Sequence, residues 1–365
     1  MPTQLRPTGR VGTVAEPRIS IIVPVFNNGE LLRTRAFPSL IRLPDFEQLH
    51  ILLIDDGSTY QDTREAVAEL AAAHSNVAAQ FLPRGGSGSA SRPRNTGFDL
   101  ADTEYLGFLD PDDEFLGAGP WPLAVALDRH RQAQLAVGNQ QRIYADRTEH
   151  VANTSHYAKV PLQGEQGTVF RAGADILVRA RFRPSNLSSY LLRTQWFTDT
   201  GIRQVVGAAG QDSLFFRQLF AAAEAFVPVH EEIYAYHAHT EGSMVNTVTP
   251  GYFEKCLIRE RAQAEWLQET GLLTNYLRHG FEPTFAWYLP KLRQVPRDQR
   301  PQARAVLRQI AEIYVDPRSH HWRYPEAMAF FRRPGLPSAE GVKPLAVRAL
   351  RRFSPSARTP RVLGR

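Results

Sequence analysis

The sequence of 365 residues contains little cysteine and no long apolar run. Its single cysteine, Cys256, excludes an internal disulfide framework and favours a reducing compartment. Because Cys256 lies in a stretch with a helical pattern and no catalytic neighbours, we expect a core thiol. No segment approaches the roughly 18 apolar residues that cross a bilayer, and the first ten residues lack the apolar core of a signal peptide. These absences predict a cytoplasmic protein.

Basic residues are in moderate excess, with 43 Lys and Arg against 37 Asp and Glu, a net charge of +6. This balance favours anionic partners: nucleotides, nucleic acid or lipid headgroups. The C-terminal segment from Lys343 to Arg365 is basic and has no acidic residue, and its first part carries an apolar stripe. Such a tail is typical either of peripheral contact with the inner face of a membrane or of a solvated terminus.

Apolar runs alternate with helical patterns along the first third of the chain. The runs 19–26, 50–54, 77–82 and 105–109 are typical of strands buried on both faces of a parallel sheet. Helical patterns cover 30–43, 62–73 and 95–101, and residues after 250 are mainly helical in pattern. This order predicts an α/β fold with a doubly wound, mostly parallel central sheet, flanking helices and right-handed crossovers.

Polar residues follow these strands, at the sheet edge where doubly wound proteins bind ligands. They are Asn27, Asp55, Asp56, Asp110, Asp112 and Asp113. The last three flank Pro111 at a turn, and carboxylates held so close repel one another unless a cation or a proton neutralises them. An inert acidic turn that caps a helix is the alternative.

Four segments, in their order and spacing, resemble the nucleotide-binding half of glycosyltransferase family 2, the inverting enzymes of GT-A fold. They are Ile19-Ser-Ile-Ile-Val-Pro-Val-Phe-Asn27, Leu53-Ile-Asp-Asp-Gly-Ser-Thr59, Arg94-Asn-Thr-Gly97 and Phe108-Leu-Asp-Pro-Asp-Asp113. The resemblance is close over 18–115 and weaker to about 246. It implies sugar transfer from a nucleotide-sugar donor to a hydroxyl acceptor in the assembly of a cell-surface glycan or polysaccharide.

The resemblance also implies roles for individual residues in binding the donor. Asp56 would accept a hydrogen bond from the imide of a uracil or thymine base, which favours a UDP-linked donor. A divalent cation, Mn²⁺ or Mg²⁺, would bridge the diphosphate oxygens. The expected nucleotide-binding residues are Pro24, Val25, Phe26, Asp56, Arg94, Asp110 and Asp112, and the expected metal ligands are Asp112, Asp113 and His239.

The expected general base is Asp212, which would deprotonate the acceptor hydroxyl. It lies in Gly210-Gln-Asp-Ser213, where the family usually has a Glu-Asp pair, so Gln211 departs from the pattern. A helix N-terminal carboxylate stabilised by the helix dipole is the alternative for Asp212. His239 resembles a family histidine that reaches the diphosphate or metal, although a histidine in a strand is more often structural.

The predicted organisation is a flexible leader (1–17), a GT-A domain (18–250) with nucleotide-binding (18–115) and acceptor (116–250) halves, a helical region (251–340) and a basic tail (341–365). We expect a glycan or lipid-linked acceptor, no nucleic-acid partner, and a helical region long enough to carry an oligomer interface. A metal-dependent nucleotidyltransferase is the closest alternative, but the loop 27–30 lacks the basic residue that a triphosphate needs. A non-catalytic nucleic-acid binder would need a basic stripe with interleaved aromatic residues.

Overall fold

The computed structural model describes residues 16–153, 157–164, 167–183, 187–238 and 248–332. The candidate ligand His239, the basic tail and nearly all of the predicted leader lie outside these ranges. Within them, no helix combines the length and the apolar character that a membrane span requires.

Ten strands of the described residues form one sheet, in the order β3-β2-β1-β4-β9-β6-β10-β5, with β7 paired to β6 and β8 to β10. The strands are β1 (Ile19–Val25), β2 (Leu49–Asp55), β3 (Val77–Phe81), β4 (Tyr105–Phe108), β5 (Glu114–Phe115), β6 (Leu135–Ile143), β7 (Thr148–Val151), β8 (Phe170–Arg171), β9 (Tyr190–Arg193) and β10 (Ala225–His237). Every residue of β1 is buried, as its apolar sequence predicts.

The predicted parallel arrangement holds for the first half of the chain, where β3, β2, β1 and β4 run in the same direction. In the second half β9 pairs antiparallel with both β4 and β6, and β5 pairs antiparallel with β10. The sheet as a whole is therefore mixed. The short strand β5 follows the turn after β4 without a crossover helix, which explains why it can enter the sheet in the opposite direction.

Helices cover both faces of the sheet and make up the region after residue 250. They are α1 (Gly29–Leu31), α2 (Phe37–Ile41), α3 (Gln61–Ala73), α4 (Ser91–Leu100), α5 (Trp121–Arg129), α6 (Ala174–Arg179), α7 (Thr194–Thr200), α8 (Gln211–Ala222), α9 (Pro250–Glu269), α10 (Leu273–His279), α11 (Phe281–Leu292), α12 (Arg300–Tyr314) and α13 (Pro325–Arg332). A π-helical segment, Leu32–Ala36, joins α1 to α2, and 3₁₀ turns occupy Phe46–Gln48 and Leu187–Ser189.

Helix α4 begins four residues earlier than the sequence pattern predicts, so Arg94 lies on a helix and not in a loop. The prediction placed the boundary too late because the loop was extended from Pro83 through Pro93 to Arg94. Proline is tolerated in the first turn of a helix, where its missing N–H has no intrahelical acceptor. Because the helix starts early, the backbone of Arg94 is held within α4.

An aromatic cluster fixes α8 on the sheet behind the strand ends. The Phe215 ring on α8 stacks on Phe98 of α4, with centroids 5.5 Å apart, and meets Phe108 of β4 and Phe197 of α7 edge-on. All four rings are buried.

Cys256 is also fully buried, which confirms the predicted core thiol, and burial raises its pKa to about 11.

We expect Phe215→Ala to lower the free energy of unfolding by about 3–5 kcal/mol, because the substitution leaves a cavity among three aromatic rings. Chemical denaturation followed by circular dichroism measures this change. Ile258→Ala, at a side chain on α9 that is 41% exposed, is the control and should change it by less than about 0.5 kcal/mol. A loss below about 1 kcal/mol in Phe215→Ala would show that the cluster does not hold α8.

Candidate active site

The loops that follow β1 and β2 form one continuous surface. Asn27, whose φ is +55°, accepts hydrogen bonds on its side-chain oxygen from the backbone N–H groups of Thr59 (2.8 Å) and Tyr60 (3.1 Å). Its own N–H donates to the hydroxyl of Ser58 at 2.9 Å. The left-handed backbone of Asn27 is one that asparagine tolerates better than most residues. The predicted polar strand ends are therefore joined, as expected from the parallel sheet.

The three residues predicted to cradle a base differ in exposure. Pro24 and Val25 are buried in β1, so only their backbone can face a ligand, whereas the Phe26 ring is 42% exposed. Gly86 lies against this ring: a Cβ at Gly86 would approach it to 2.6 Å. The loop 82–90 between β3 and α4, here called the glycine loop, therefore contacts Phe26. Of Pro24, Val25 and Phe26, only Phe26 has a ring that can stack on a base.

Asp56 connects the glycine loop to the end of β2 through hydrogen bonds. One carboxylate oxygen accepts from Arg92 Nε at 2.7 Å, and the other accepts from the N–H and hydroxyl of Ser87 at 2.7 and 2.8 Å. Asp56 is only 3% exposed, so its negative charge is compensated by Arg92 inside the protein. Its hydrogen bond to a base remains a prediction.

Sequence reasoning missed Arg92 and Arg64, which neutralise the adjacent carboxylates at the end of β2. Asp55 is fully buried and pairs with Arg64 Nη1 at 2.8 Å, while its carboxylate also accepts from the Ser58 N–H. The signal was present: two neighbouring aspartates at the end of an apolar strand require two cations. Asp55 is thus a structural residue of the loop.

Arg94 brings together carboxylates from the two halves of the chain. Its Nη2 lies 2.6 Å from Asp110 Oδ1 after β4, and its Nη1 lies 2.7 Å from Asp212 Oδ1 in the first turn of α8. Arg94 is 4% exposed. Burial lowers the pKa of Arg94, but the charges of Asp110 and Asp212 outweigh that effect and raise it above its ordinary value. One guanidinium therefore holds both carboxylates in fixed positions.

The turn after β4 is fixed by Asp113. This side chain is 2% exposed and accepts hydrogen bonds from Tyr234 Oη at 2.7 Å and from the His237 N–H at 2.8 Å. Burial raises the pKa of Asp113 well above its ordinary range, and the charges of Asp112 and Asp110 raise it further. Both oxygens accept hydrogen bonds from β10, and the role of Asp113 as a metal ligand stays a prediction. We assign Asp113 to fixing the turn.

Asp112 is the carboxylate of the turn that best fits a cation. Burial, and next the charge of Asp110, raise its pKa to about 6, so a positive charge nearby would be stabilising. Arg35, another residue that sequence reasoning missed, donates to the Asp112 carbonyl oxygen at 2.6 Å and orients the turn.

The number of available protein ligands determines how a metal ion could be held at this turn. No three His, Cys, Asp or Glu side chains of the described ranges cluster closely enough to hold an ion on their own. Mg²⁺ typically binds through one or two carboxylates and takes its other ligands from substrate phosphates and water. Asp112 with Asp110 beside it fits that pattern. His239, the third predicted ligand, lies outside the described residues.

Residues 20–183 match the family model described as glycosyl transferase family 2. Residues 20–183 are therefore similar to glycosyltransferase family 2. The matched range contains the ends of β1, β2 and β4 and stops before α8, so it does not include Asp212.

Curated relatives are similar to about a quarter of the chain. The GalNAc(5)-diNAcBac-PP-undecaprenol β-1,3-glucosyltransferase of Campylobacter jejuni is 37% identical over 100 residues, which are 27% of this chain and 31% of that protein. The poly(ribitol-phosphate) β-N-acetylglucosaminyltransferase TarP of Staphylococcus aureus is 35% identical over 96 residues, 26% and 28% of the two chains. The matches thus span about a third of the length of these relatives.

Solved structures are similar over more of the chain. S. aureus TarS 1–349 in complex with UDP-GlcNAc has a TM-score of 0.60 and 19% identity, and the match covers 82% of each chain. The same TarS fragment in complex with UDP has a TM-score of 0.57 and 18% identity. At this identity the likeness shows the fold alone, and it confirms the predicted GT-A architecture with a helical C-terminal region.

The candidate site departs from the family pattern at the start of α8. Gln211 replaces the usual glutamate, is 4% exposed, and its amide nitrogen and oxygen have no hydrogen-bond partner among the described residues. Asp212 follows it, and its side chain is 41% exposed. The candidate base therefore reaches solvent while Gln211 faces inward.

Proposed function

We propose that this chain is an inverting glycosyltransferase that moves a sugar from a UDP-linked donor to an acceptor hydroxyl. The observation that carries the proposal is the position of Arg94 between Asp110 and Asp212. Asp110 belongs to the strand ends at which a nucleotide diphosphate would bind, and Asp212 belongs to the acceptor half. The donor sugar and the acceptor hydroxyl would thus meet near Arg94, which contacts both carboxylates.

Asp212 is the proposed general base. Inverting transfer requires deprotonation of the acceptor hydroxyl as it attacks the anomeric carbon from the face opposite the diphosphate. Arg94 contacts one carboxylate oxygen of Asp212 and so fixes its orientation, while the exposure of the side chain leaves it accessible to an acceptor. Arg94 would act as the positioning residue of this base.

The donor would lie along the strand ends. Phe26 would stack on the base and Asp56 would accept from its imide N–H, which favours uracil. The TarS complexes with UDP and UDP-GlcNAc support a UDP-linked donor. Asp112, with Asp110 beside it, would hold Mn²⁺ or Mg²⁺, which when bound neutralises the charge of the leaving diphosphate.

The names of the two relatives suggest the class of acceptor. One relative is named for an undecaprenol-linked glycan and the other for poly(ribitol-phosphate). We propose a glycan carried on a lipid or polymer, as in the assembly of cell-surface glycans. The helical region after Pro250 and residues 116–250 would form the acceptor side.

Calorimetric titration in Mg²⁺ with UDP, GDP and UTP tests the donor assignment. We expect UDP to bind more tightly than GDP or UTP, and Phe26→Ala to weaken UDP binding about tenfold because base stacking on an aromatic ring is lost. Trp287→Ala, at another half-exposed aromatic side chain on α11, is the matched control and should leave UDP affinity unchanged. Tighter binding of UTP than of UDP would instead favour a nucleotidyltransferase.

A further inference from the structure

Helix α9 of the C-terminal region touches the turn that precedes the proposed base. Arg259 Nη1 donates to the carbonyl oxygens of Ala209 and Gly210, at 3.3 and 3.1 Å, and the Ala209 N–H donates to the Lys255 carbonyl at 3.2 Å. Arg259 is 4% exposed. Asp212 follows two residues later, so this contact bears on the position of its carboxylate.

The residue at the start of α8 leaves room for the Arg259 guanidinium. Gly210, the N-cap residue, makes no side-chain capping hydrogen bond, and its φ of +65° is one that glycine adopts without strain. A Cβ at Gly210 would lie 2.3 Å from Arg259 Nη1, so the guanidinium occupies the space that any other residue would need. Arg259 therefore fixes the position of this turn through its two carbonyl oxygens.

A buried network makes the Arg259 guanidinium rigid. Its Nη2 donates to Glu260 Oε1 at 2.5 Å and to Tyr288 Oη, and Tyr288 Oη donates to Glu260 Oε1 at 2.6 Å. Tyr314 Oη on α12 donates to the other Glu260 oxygen at 2.7 Å. Three helices of the C-terminal region thus hold one cation against the turn 209–210, and a paired buried charge of this kind is fixed in its geometry.

The same helix also contacts the donor side. Lys255, one turn before Arg259 on α9, donates from Nζ to the Gly88 carbonyl at 2.7 Å in the glycine loop that Asp56 fastens. Residues four apart lie on one face of a helix. One face of α9 therefore touches both the donor loop and the turn that leads to the base.

We infer that Arg259 is a positioning residue for the reaction: it fixes the turn 209–210 and thereby the carboxylate of Asp212 opposite Arg94 and Asp110. This inference rests on the proposed function. Displacement of a reacting group by about an ångström can cost on the order of a hundredfold in rate. Loss of the Arg259 contact should accordingly lower kcat and leave donor binding intact.

The test compares three variants of the whole chain with wild type. Arg259→Met/Glu260→Gln removes the contact and the buried charge pair together, Arg259→Lys keeps the charge, and Glu254→Gln, at an exposed carboxylate on α9, is the control. We expect kcat for transfer to fall at least about tenfold in the double variant and less in Arg259→Lys. The dissociation constant for UDP should stay within about twofold in all three, and Glu254→Gln should keep wild-type activity.

A second readout does not depend on activity. Hydrogen exchange of the amides in 208–213 should be faster in the double variant and unchanged in Glu254→Gln, because only the former lacks the Arg259 contact. Should the double variant fail to fold, Arg259→Lys carries the test through the same measurements. Wild-type kcat and exchange in the double variant, or in Arg259→Lys where the double variant does not fold, would overturn the inference, as would an equal loss of kcat in Glu254→Gln.

Asp212→Asn separates this inference from the proposed function. If Asp212→Asn transfers sugar normally, the assigned base is wrong and the proposed mechanism fails. If Asp212→Asn is inactive while the Arg259 variants keep wild-type kcat, only the positioning role of Arg259 is excluded.

Discussion

Asp212→Asn should lower kcat for sugar transfer at least about a hundredfold, because a positioned general base contributes on the order of 10²–10⁴ in rate. Asparagine keeps the shape of the side chain and can still accept a hydrogen bond from Arg94 through its carbonyl oxygen. UDP affinity should stay within about twofold, since the strand ends proposed to bind the nucleotide are unchanged. Initial rates of UDP release together with calorimetric titration of UDP measure both quantities.

Asp175→Asn is the matched control for this prediction. Asp175 lies in the first turn of α6 as Asp212 does in α8, and its side chain is 51% exposed. If Asp212 only stabilised a helix N-terminus, each change would cost a similar small amount, about 0.3–1 kcal/mol of unfolding free energy, and transfer would continue in both. Normal transfer by Asp212→Asn would therefore favour that helix-dipole role.

Asp112→Asn should remove metal-dependent transfer. Its carboxylate lies where burial and the charge of Asp110 disfavour a further negative charge, so a bound cation would be stabilised there. We expect the affinity for Mn²⁺ in the presence of UDP to fall about a hundredfold, since even supporting groups of a metal site contribute 10–100-fold. Mn²⁺ titration followed by electron paramagnetic resonance, and transfer rates with and without chelator, measure the effect.

Asp113→Asn is the control that distinguishes the two neighbouring carboxylates. Because Asp113 accepts from Tyr234 and the His237 N–H, its change should lower the free energy of unfolding by about 1–3 kcal/mol. The Mn²⁺ affinity of the UDP complex should stay within about threefold of wild type. The opposite pattern, with metal affinity lost in Asp113→Asn and kept in Asp112→Asn, would show that Asp113 is the ligand.

Local sequence patterns were sufficient for the nucleotide-binding half of the fold. The apolar runs that became β1, β2 and β4 end where polar residues begin, and parallel strands bring those ends to one edge of the sheet. The resemblance to glycosyltransferase family 2 carried by these segments was confirmed by the family match over 20–183. Buried strands in a parallel sheet leave a clear pattern because both of their faces require apolar residues.

The orientation of individual carboxylates could not be predicted from the same patterns. Asp112 and Asp113 are adjacent and chemically identical, and Tyr234, 121 residues further on, determines which of them is buried. The Arg94–Asp212 pair likewise spans 118 residues. Arg259 was not recognised because its effect on α8 acts through backbone carbonyl groups, which have no signature in the sequence. Side-chain partners at such separations depend on the packed tertiary structure.

The most direct test of an inverting transfer at Asp212 is the configuration of the sugar that the chain releases. Proton NMR in Mg²⁺ would follow a panel of α-linked UDP-hexoses and UDP-N-acetylhexosamines, with water as the acceptor, and record which anomer forms first. Inversion by wild type predicts that the β-anomer forms first from the donor that is consumed, and that Asp212→Asn releases neither anomer. Initial release of the α-anomer from the donor that is consumed would contradict it.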